Sequence, residues 1–407
     1  MANDIFLLNI SGQDKPGLTS GLTDVLSQYK AKVLDIGQAN IHNTLSLGIL
    51  FQIKSGKKSA AVLKDLLFKS YELGIKAKFT PISLDDYEDW VNLQGKHRYI
   101  ITLLGEKLTA KQLSEVTKII SEKNLNIDAI KRLTGRTSLV KESDYPRASI
   151  QLSIRGEIKN KSEFTSKIMQ ISKDLDLDIA FQEDNMYRRN RRLVCFDMDS
   201  TLIQTEVIDE LAELAGVGEE VRAITESAMQ GDIDFNESFK QRMKLLKGLN
   251  EDVLQQVAEN LPITQGARRL VSTLKKYGYK TAILSGGFTY FGEYLQKELG
   301  IDYVYANQLE IIDGVLTGNY IGDIVNGDKK AEYLQEIAQK ENIHINQTIA
   351  VGDGANDLPM LNLAGLGIAF HAKPKVKNSA QSAISSIGLD GVLYLLGYQD
   401  KHIDLIE

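Results

Sequence analysis

The chain has 407 residues, more than one hydrophobic core usually supports, so two or three domains of roughly 100–200 residues each are expected. With 43% hydrophobic and 25% charged residues, 32 Gly and only 6 Pro, collagen-like and disordered classes are excluded. The formal charge of −6, from 48 Lys and Arg against 54 Asp and Glu, argues against nucleic acid or an anionic membrane as partner.

The first residues, MANDIFLLNISGQDKPG, place an acid at position 4 and have only a short apolar run, which does not fit a signal peptide. No uncharged apolar stretch approaches the roughly 18–20 residues that span a bilayer. The lone Cys195 sits inside an apolar run, and a cytoplasmic, reducing setting is expected.

Residues 4–10 read as a strand, and Leu18, Leu22, Val25, Leu26 and Tyr29 follow at helical spacing. Two strands over 33–53, a helix over 59–74 and a strand over 76–82 complete a βαββαβ order. The same order recurs over 97–183, with DDYEDWVNLQGK as the joining segment. Two tandem ferredoxin-like α+β domains are therefore expected, at 1–86 and 97–185. The run RRNRR, residues 188–192, reads as a solvated linker or strand flank. From about 192 to 400 strands alternate with long helices, the order of a Rossmann-like parallel α/β sheet. Its candidate strands are LVCFD, KTAILS, YVYAN, TIAVGD and LGIAF, and the helical insertion at about 206–262 reads as a cap. With its own core and all the acids described next, this part is expected to stand without residues 1–185.

Chemistry gathers at the strand ends: Asp197 and Asp199 after the first, Ser285–Gly287 after the second, Lys329 or Lys330 before a helix, and DGAND, 353–357, after TIAVG. In open parallel sheets these ends meet in one crevice. Crowded carboxylates repel unless a cation sits among them, and an all-oxygen set points to a hard divalent ion, Mg²⁺. The His residues at 42, 97, 344, 371 and 402 have no ligand spacing. A phosphate substrate accounts for the rest: a hydroxyl, a backbone N–H and a lysine for phosphoryl oxygens, one Asp to attack phosphorus and a second to move the proton.

These four motifs in order, DMDST, SGG, the lysine and GDGANDLPM, resemble those of the haloacid dehalogenase superfamily and, within it, the phosphoserine phosphatase family. The resemblance implies Asp197 as nucleophile and metal ligand, Asp199 as acid/base with its carbonyl on the metal, and Asp353 as the other metal carboxylate. Ser285, Gly286, Lys330 and Asn356 would hold the phosphoryl group, with Asp357 supporting the metal. Lys329 is kept as the substitute for Lys330. In the cap, Glu206 would take a substrate ammonium and Arg242 a carboxylate, with Met229 and Phe235 closing over them. The implied reaction is Mg²⁺-dependent hydrolysis of O-phospho-L-serine, the last step of serine synthesis. Phosphotransfer to another hydroxyl, such as that of homoserine, and a non-catalytic amino-acid sensor are the alternatives.

The first N-terminal unit resembles an ACT domain, because DKPG stands at its strand-to-helix turn, and this implies an amino-acid effector and a homodimer. The second unit has GEKLTAKQ there, without Pro-Gly, which favours a dimerisation or spacer role.

Overall fold

Along β3 (Thr44–Lys54) every second side chain, Leu45, Leu47, Ile49, Phe51 and Ile53, is buried, as a strand with one covered face requires. The computed structural model describes residues 3–93, 97–140, 145–230 and 232–403, without the side chains of Ser162, Met229 and Gln230. The chain divides into two units, Met1–Lys96 and His97–Glu407.

In the first unit, β1 (Asn3–Gln13), α1 (Leu18–Gln28), β2 (Lys32–Ile41), β3, α2 (Lys57–Glu72) and β4 (Lys76–Ile82) form an antiparallel sheet of order β2-β3-β1-β4. Leu22 and Leu26 of α1 and Val62 and Leu66 of α2 bury its covered face. The segment read as a joiner holds a further helix, α3 (Leu84–Asn92). Ser83 starts it: its Oγ accepts from Asp86 N–H at 3.0 Å, and Asp85 and Asp86 add negative charge where the helix dipole favours it.

The second unit repeats the ferredoxin-like order with β5 (Arg98–Gly105), α4 (Ala110–Glu122), β6 (Asn126–Arg132), β7 (Ala148–Arg155), α5 (Lys161–Asp174) and β8 (Asp178–Glu183), sheet order β6-β7-β5-β8. After α6 (Met186–Arg189) and β9 (Leu193–Phe196) come four cap helices, α7 (Val207–Ala215), α8 (Gly218–Gln230), α9 (Phe235–Leu245) and α10 (Asp252–Glu259). The chain then runs through α11 (Ala267–Lys276), β10 (Lys280–Phe288), α12 (Thr289–Leu299), β11 (Tyr303–Ile312), β12 (Val315–Ile321), α13 (Gly327–Lys340), β13 (Thr348–Gly352), α14 (Leu358–Leu363), β14 (Leu366–Phe370), α15 (Pro374–Ser379), β15 (Ser382–Ile384) and α16 (Gly391–Leu395). The seven-stranded sheet has order β12-β11-β10-β9-β13-β14-β15 and is parallel except for β12. β12, absent from the strands expected, forms a hairpin with β11 through Asp313 and Gly314, both at positive φ.

Two expectations are corrected. Arg188 and Arg191 of the basic run are buried, not solvated. Arg191 Nη1 donates to the carbonyls of Asn346 and Thr348 at 3.3 and 3.0 Å, tying the linker to the start of β13. Burial and the nearby Arg188 charge lower the Arg191 guanidinium to about 10.

The second correction concerns independence. Leu104, Leu133 and Ala180 of the second ferredoxin-like domain lie in the same apolar cluster as Leu389, Leu393 and Phe370 of the α/β domain. Polar contacts seal this joint: Asp178 accepts from Ser385 N–H, Ser386 N–H and Ser386 Oγ at 2.7, 2.8 and 2.6 Å. Asp390 pairs with Arg147 at 2.6 Å and with Arg269, and Asp400 accepts from Gly135 N–H at 2.6 Å. Among the described residues no helix is long and apolar enough to cross a membrane.

Candidate active site

β9 lies between β10 and β13, both parallel to it, so three carboxyl ends open at the point where the strand order reverses. Asp197 still belongs to the ladder, its N–H donating to Val351 O at 2.8 Å, and its Oδ1 accepts from Met198 N–H at 2.7 Å. The chain then turns sharply. Ser200 takes a left-handed conformation (φ 53°, ψ 6°), and the Asp199 carboxylate swings to accept from Val207 N–H at 2.9 Å, at the first residue of the cap.

Ser285–Gly287 form the irregular last part of β10, where its register with β11 shifts, and pass between Asp199 and the cap. A Cβ on Gly287 would stand 2.5 Å from Asp199 Oδ2, and one on Gly286 would stand 2.9 Å from Phe235 Cζ, so only glycine fits this passage. Ser285 is fully buried, its Oγ accepting from Gly287 N–H at 2.9 Å. Asn307, midway along β11, holds this stretch by donating to Gly286 O at 2.8 Å while accepting from Val325 N–H at 2.8 Å.

Lys330, on the buried face of α13, has no solvent exposure and reaches Asp197 Oδ1 at 2.8 Å and Asp357 Oδ1 at 2.7 Å. Lys329, the alternative left open, points outward to Glu332. Burial opposes the Lys330 charge, but the two carboxylates outweigh it and hold the ammonium above its ordinary value. Asp353, after β13, accepts from Thr201 Oγ1 at 3.3 Å. Asn356 lies half-buried in the turn that follows, and Asp357 Oδ2 accepts from Gly354 N–H at 2.9 Å.

Ligand oxygens of Asp197, Asp353 and Asp357 lie within 4.8 Å of one another. Asp357, expected only to support a metal, thus stands in the carboxylate cluster, while the Asp199 carboxylate is turned to Val207 N–H and is not among the three. Burial, then the Asp357 charge, pushes Asp197 well above the carboxylate range, and Lys330 only partly counters them. Burial followed by Asp357 and Glu206 raises Asp353 to about 7. Three crowded oxygen donors, with the charged forms of Asp197 and Asp353 penalised, suit a hard divalent cation, which would relieve that penalty.

On the cap, Glu206 precedes α7 and Arg242 lies on α9. Glu206 is open to solvent, yet enough protein surrounds it that desolvation raises its carboxyl, with a hydrogen bond from Ser200 acting the other way. Arg242 is half-buried; desolvation lowers it against the attraction of Glu206 and Asp209. Phe235 stands over Gly286, and Asn326 Nδ2 donates to the neighbouring cap residue Asn236 at 3.2 Å. The Met229 side chain lies outside those described. Asn307 and Thr201 were not singled out from the sequence; the available signal was a polar residue directly at or after an apolar strand run.

A haloacid dehalogenase-like hydrolase model matches residues 194–362, and ACT domain models match 4–80 and 97–182. Phosphoserine phosphatase SerB2 of Mycobacterium tuberculosis is 36% identical over 401 residues, 98% of this chain and 95% of its own length. The chain belongs to the phosphoserine phosphatase family. A second family member, from Streptomyces coelicolor, is 37% identical over 98% of this chain and 94% of its own. The unliganded crystal structure of a probable phosphoserine phosphatase from Vibrio cholerae matches with a TM-score of 0.58 and 40% identity, covering 73% of this chain and 86% of that one. The aspartate cluster of Asp197, Asp353 and Asp357 lies within the residues that the hydrolase model matches and is consistent with an aspartyl-phosphate mechanism.

Proposed function

We propose that the chain hydrolyses O-phospho-L-serine to L-serine and phosphate with Mg²⁺. One observation carries the reading: Glu206 and Arg242 are opposite charges on the cap that attract each other, Glu206 raises Asp353 of the aspartate cluster, and Asp199 attracts Arg242. A phosphate ester bearing both an ammonium and a carboxylate matches that arrangement. Arg242 offers a planar fork for the carboxylate, and Glu206 a charge for the ammonium. Ser285, the Gly286 N–H, Lys330 and Asn356 hold the phosphoryl oxygens.

Asp197 attacks phosphorus and the P–O bond to the serine oxygen breaks, leaving phosphate on Asp197. Asp199, tied to the cap by Val207 N–H, donates its proton to the leaving alkoxide. It then takes a proton from the water that releases phosphate from Asp197. Asp197, Asp353 and Asp357, with the Asp199 carbonyl, would hold the cation, which supplies positive charge against the phosphoryl oxygens. Phe235 excludes water above Gly286.

The N-terminal domains support a regulatory half. At α1 the cap residue is Gly17, φ 90°, with no side-chain bond, which leaves helix N–H groups open to a ligand carboxylate. At α4 Thr109 and Gln112 satisfy those groups themselves in a capping box, which favours a structural role for the second domain. An amino-acid effector at the first domain, a homodimer and a cytoplasmic setting belong to the same proposal.

The test is phosphate release from phosphoserine with Mg²⁺ and then with EDTA. Metal-dependent turnover that Asp197→Asn lowers by orders of magnitude is expected. Absence of metal-dependent turnover, or near-parental activity of that variant, would overturn the reading.

A further inference from the structure

Three consecutive residues at the turn after β9 reach in three directions. Asp199 binds Val207 N–H, Thr201 binds Asp353, and Ser200 Oγ donates to Glu206 Oε1 at 2.7 Å. A serine at φ 53° is uncommon, since the left-handed region crowds any Cβ, and it is held here by Ser200 N–H donating to Thr205 O at 3.2 Å. That conformation is what aims the hydroxyl at Glu206.

Glu206 needs such a restraint. Its side chain is open to solvent and makes no capping bond to α7, so packing does not fix its direction. The Asp209 carboxylate repels it and the Arg242 guanidinium attracts it. Left to itself, an acid beside a cation closes into an ion pair, and both groups meant for the two ends of a zwitterion would then be occupied. The structure has no Glu206–Arg242 ion pair among the described residues. The groups that face Glu206 are otherwise Asp209, Asp199, Asp353 and, deeper, Lys330.

We propose that Ser200 is a positioning residue for substrate selection: its hydroxyl holds Glu206 apart from Arg242, so that the pair meets the substrate with both charges available. The proposal rests on the reading of Glu206 as the ammonium acceptor. Ser200 touches neither phosphorus nor the attacking oxygen, so its effect belongs to substrate capture.

The experiment measures kcat and KM for phosphoserine and for 3-phosphooxypropanoate, the same molecule without its amino group, in the parent, Ser200→Ala, Ser200→Gly and Glu206→Gln. Glycine keeps the left-handed turn without strain and removes the whole side chain, while alanine removes only the hydroxyl. Both Ser200 variants should raise KM for phosphoserine about tenfold, near the lower end of what a hydrogen bond to a charged group sustains, with kcat changed less than about threefold. The preference for phosphoserine over the deamino analogue should shrink by the same factor. If Glu206→Gln abolishes the preference while both Ser200 variants keep it, the role of Ser200 is refuted and that of Glu206 stands. Recovery of the preference in Ser200→Gly but not in Ser200→Ala would also refute it, because the backbone turn alone would then suffice. An unchanged preference in Glu206→Gln would remove the reading on which the proposal rests.

Discussion

Replacing Lys330 with Met keeps the buried stem and removes the ammonium that lies 2.8 Å from Asp197 and 2.7 Å from Asp357, where no solvent reaches. At those distances and an effective dielectric near 20, each contact is worth roughly 6 kcal/mol before desolvation is set against it. Breaking a buried pair from one side costs about 3–5 kcal/mol net, because the remaining charge is stranded. Here the stranded groups can protonate, and Asp197 is already pushed upward by its burial and its acidic neighbours, so the loss depends on pH. Without metal, Lys330→Met should lower the melting temperature by roughly 6–20 °C at pH 8, at roughly 2–4 °C per kcal/mol, and by clearly less at pH 5.5. Phosphate release should fall about 100- to 1000-fold, the scale of one lost transition-state charge contact. Thermal unfolding followed by circular dichroism in EDTA at the two pH values, with phosphate release in Mg²⁺, measures both. A variant that melts with the parent at pH 8 would refute the assignment of Lys330 as the counter-ion of the acid cluster, whatever its activity.

The same cluster predicts the pH response of the metal-free protein. Asp353, raised to about 7, binds its proton more tightly folded than unfolded, so stability is lost as pH rises from about 4 through 7, and a divalent cation should flatten that slope in thermal melts. Arg242→Ala should lower kcat/KM for phosphoserine by roughly 30- to 1000-fold while p-nitrophenyl phosphate, which has no carboxylate, changes far less; equal losses would make Arg242 a packing residue. Removing residues 1–96 takes away a unit with its own core and should leave a folded phosphatase by circular dichroism. Removing 1–185 exposes Leu389 and Leu393 and strips Arg147 from Asp390, so that fragment should aggregate or melt well below the shorter deletion.

The chemistry and its strand ends were legible because they are encoded within a few residues. An apolar run followed by Asp197, Ser285 or Asp353 states both a buried strand and the polar group at its mouth, and parallel pairing brings those mouths together. The βαββαβ order was legible for the same reason, since a strand or helix face repeats at short range. β12 was legible too and was missed: Asp313-Gly314 between apolar stretches is a hairpin signal. Other features have no local signature. Arg188 and Arg191 are buried because carbonyls and side chains from residues such as Gln151, Asn346 and Thr348 meet them, and charge alone suggested solvent. The place of Asp357 beside Asp197, and the turn of Asp199 toward Val207, depend on where separate loops cross. The shared core of the second ACT domain and the α/β domain was likewise decided by tertiary structure. Leu104 and Leu393 each look like ordinary core residues of their own domain, and only the docking of two covered faces, some 290 residues apart in the chain, makes one core of them.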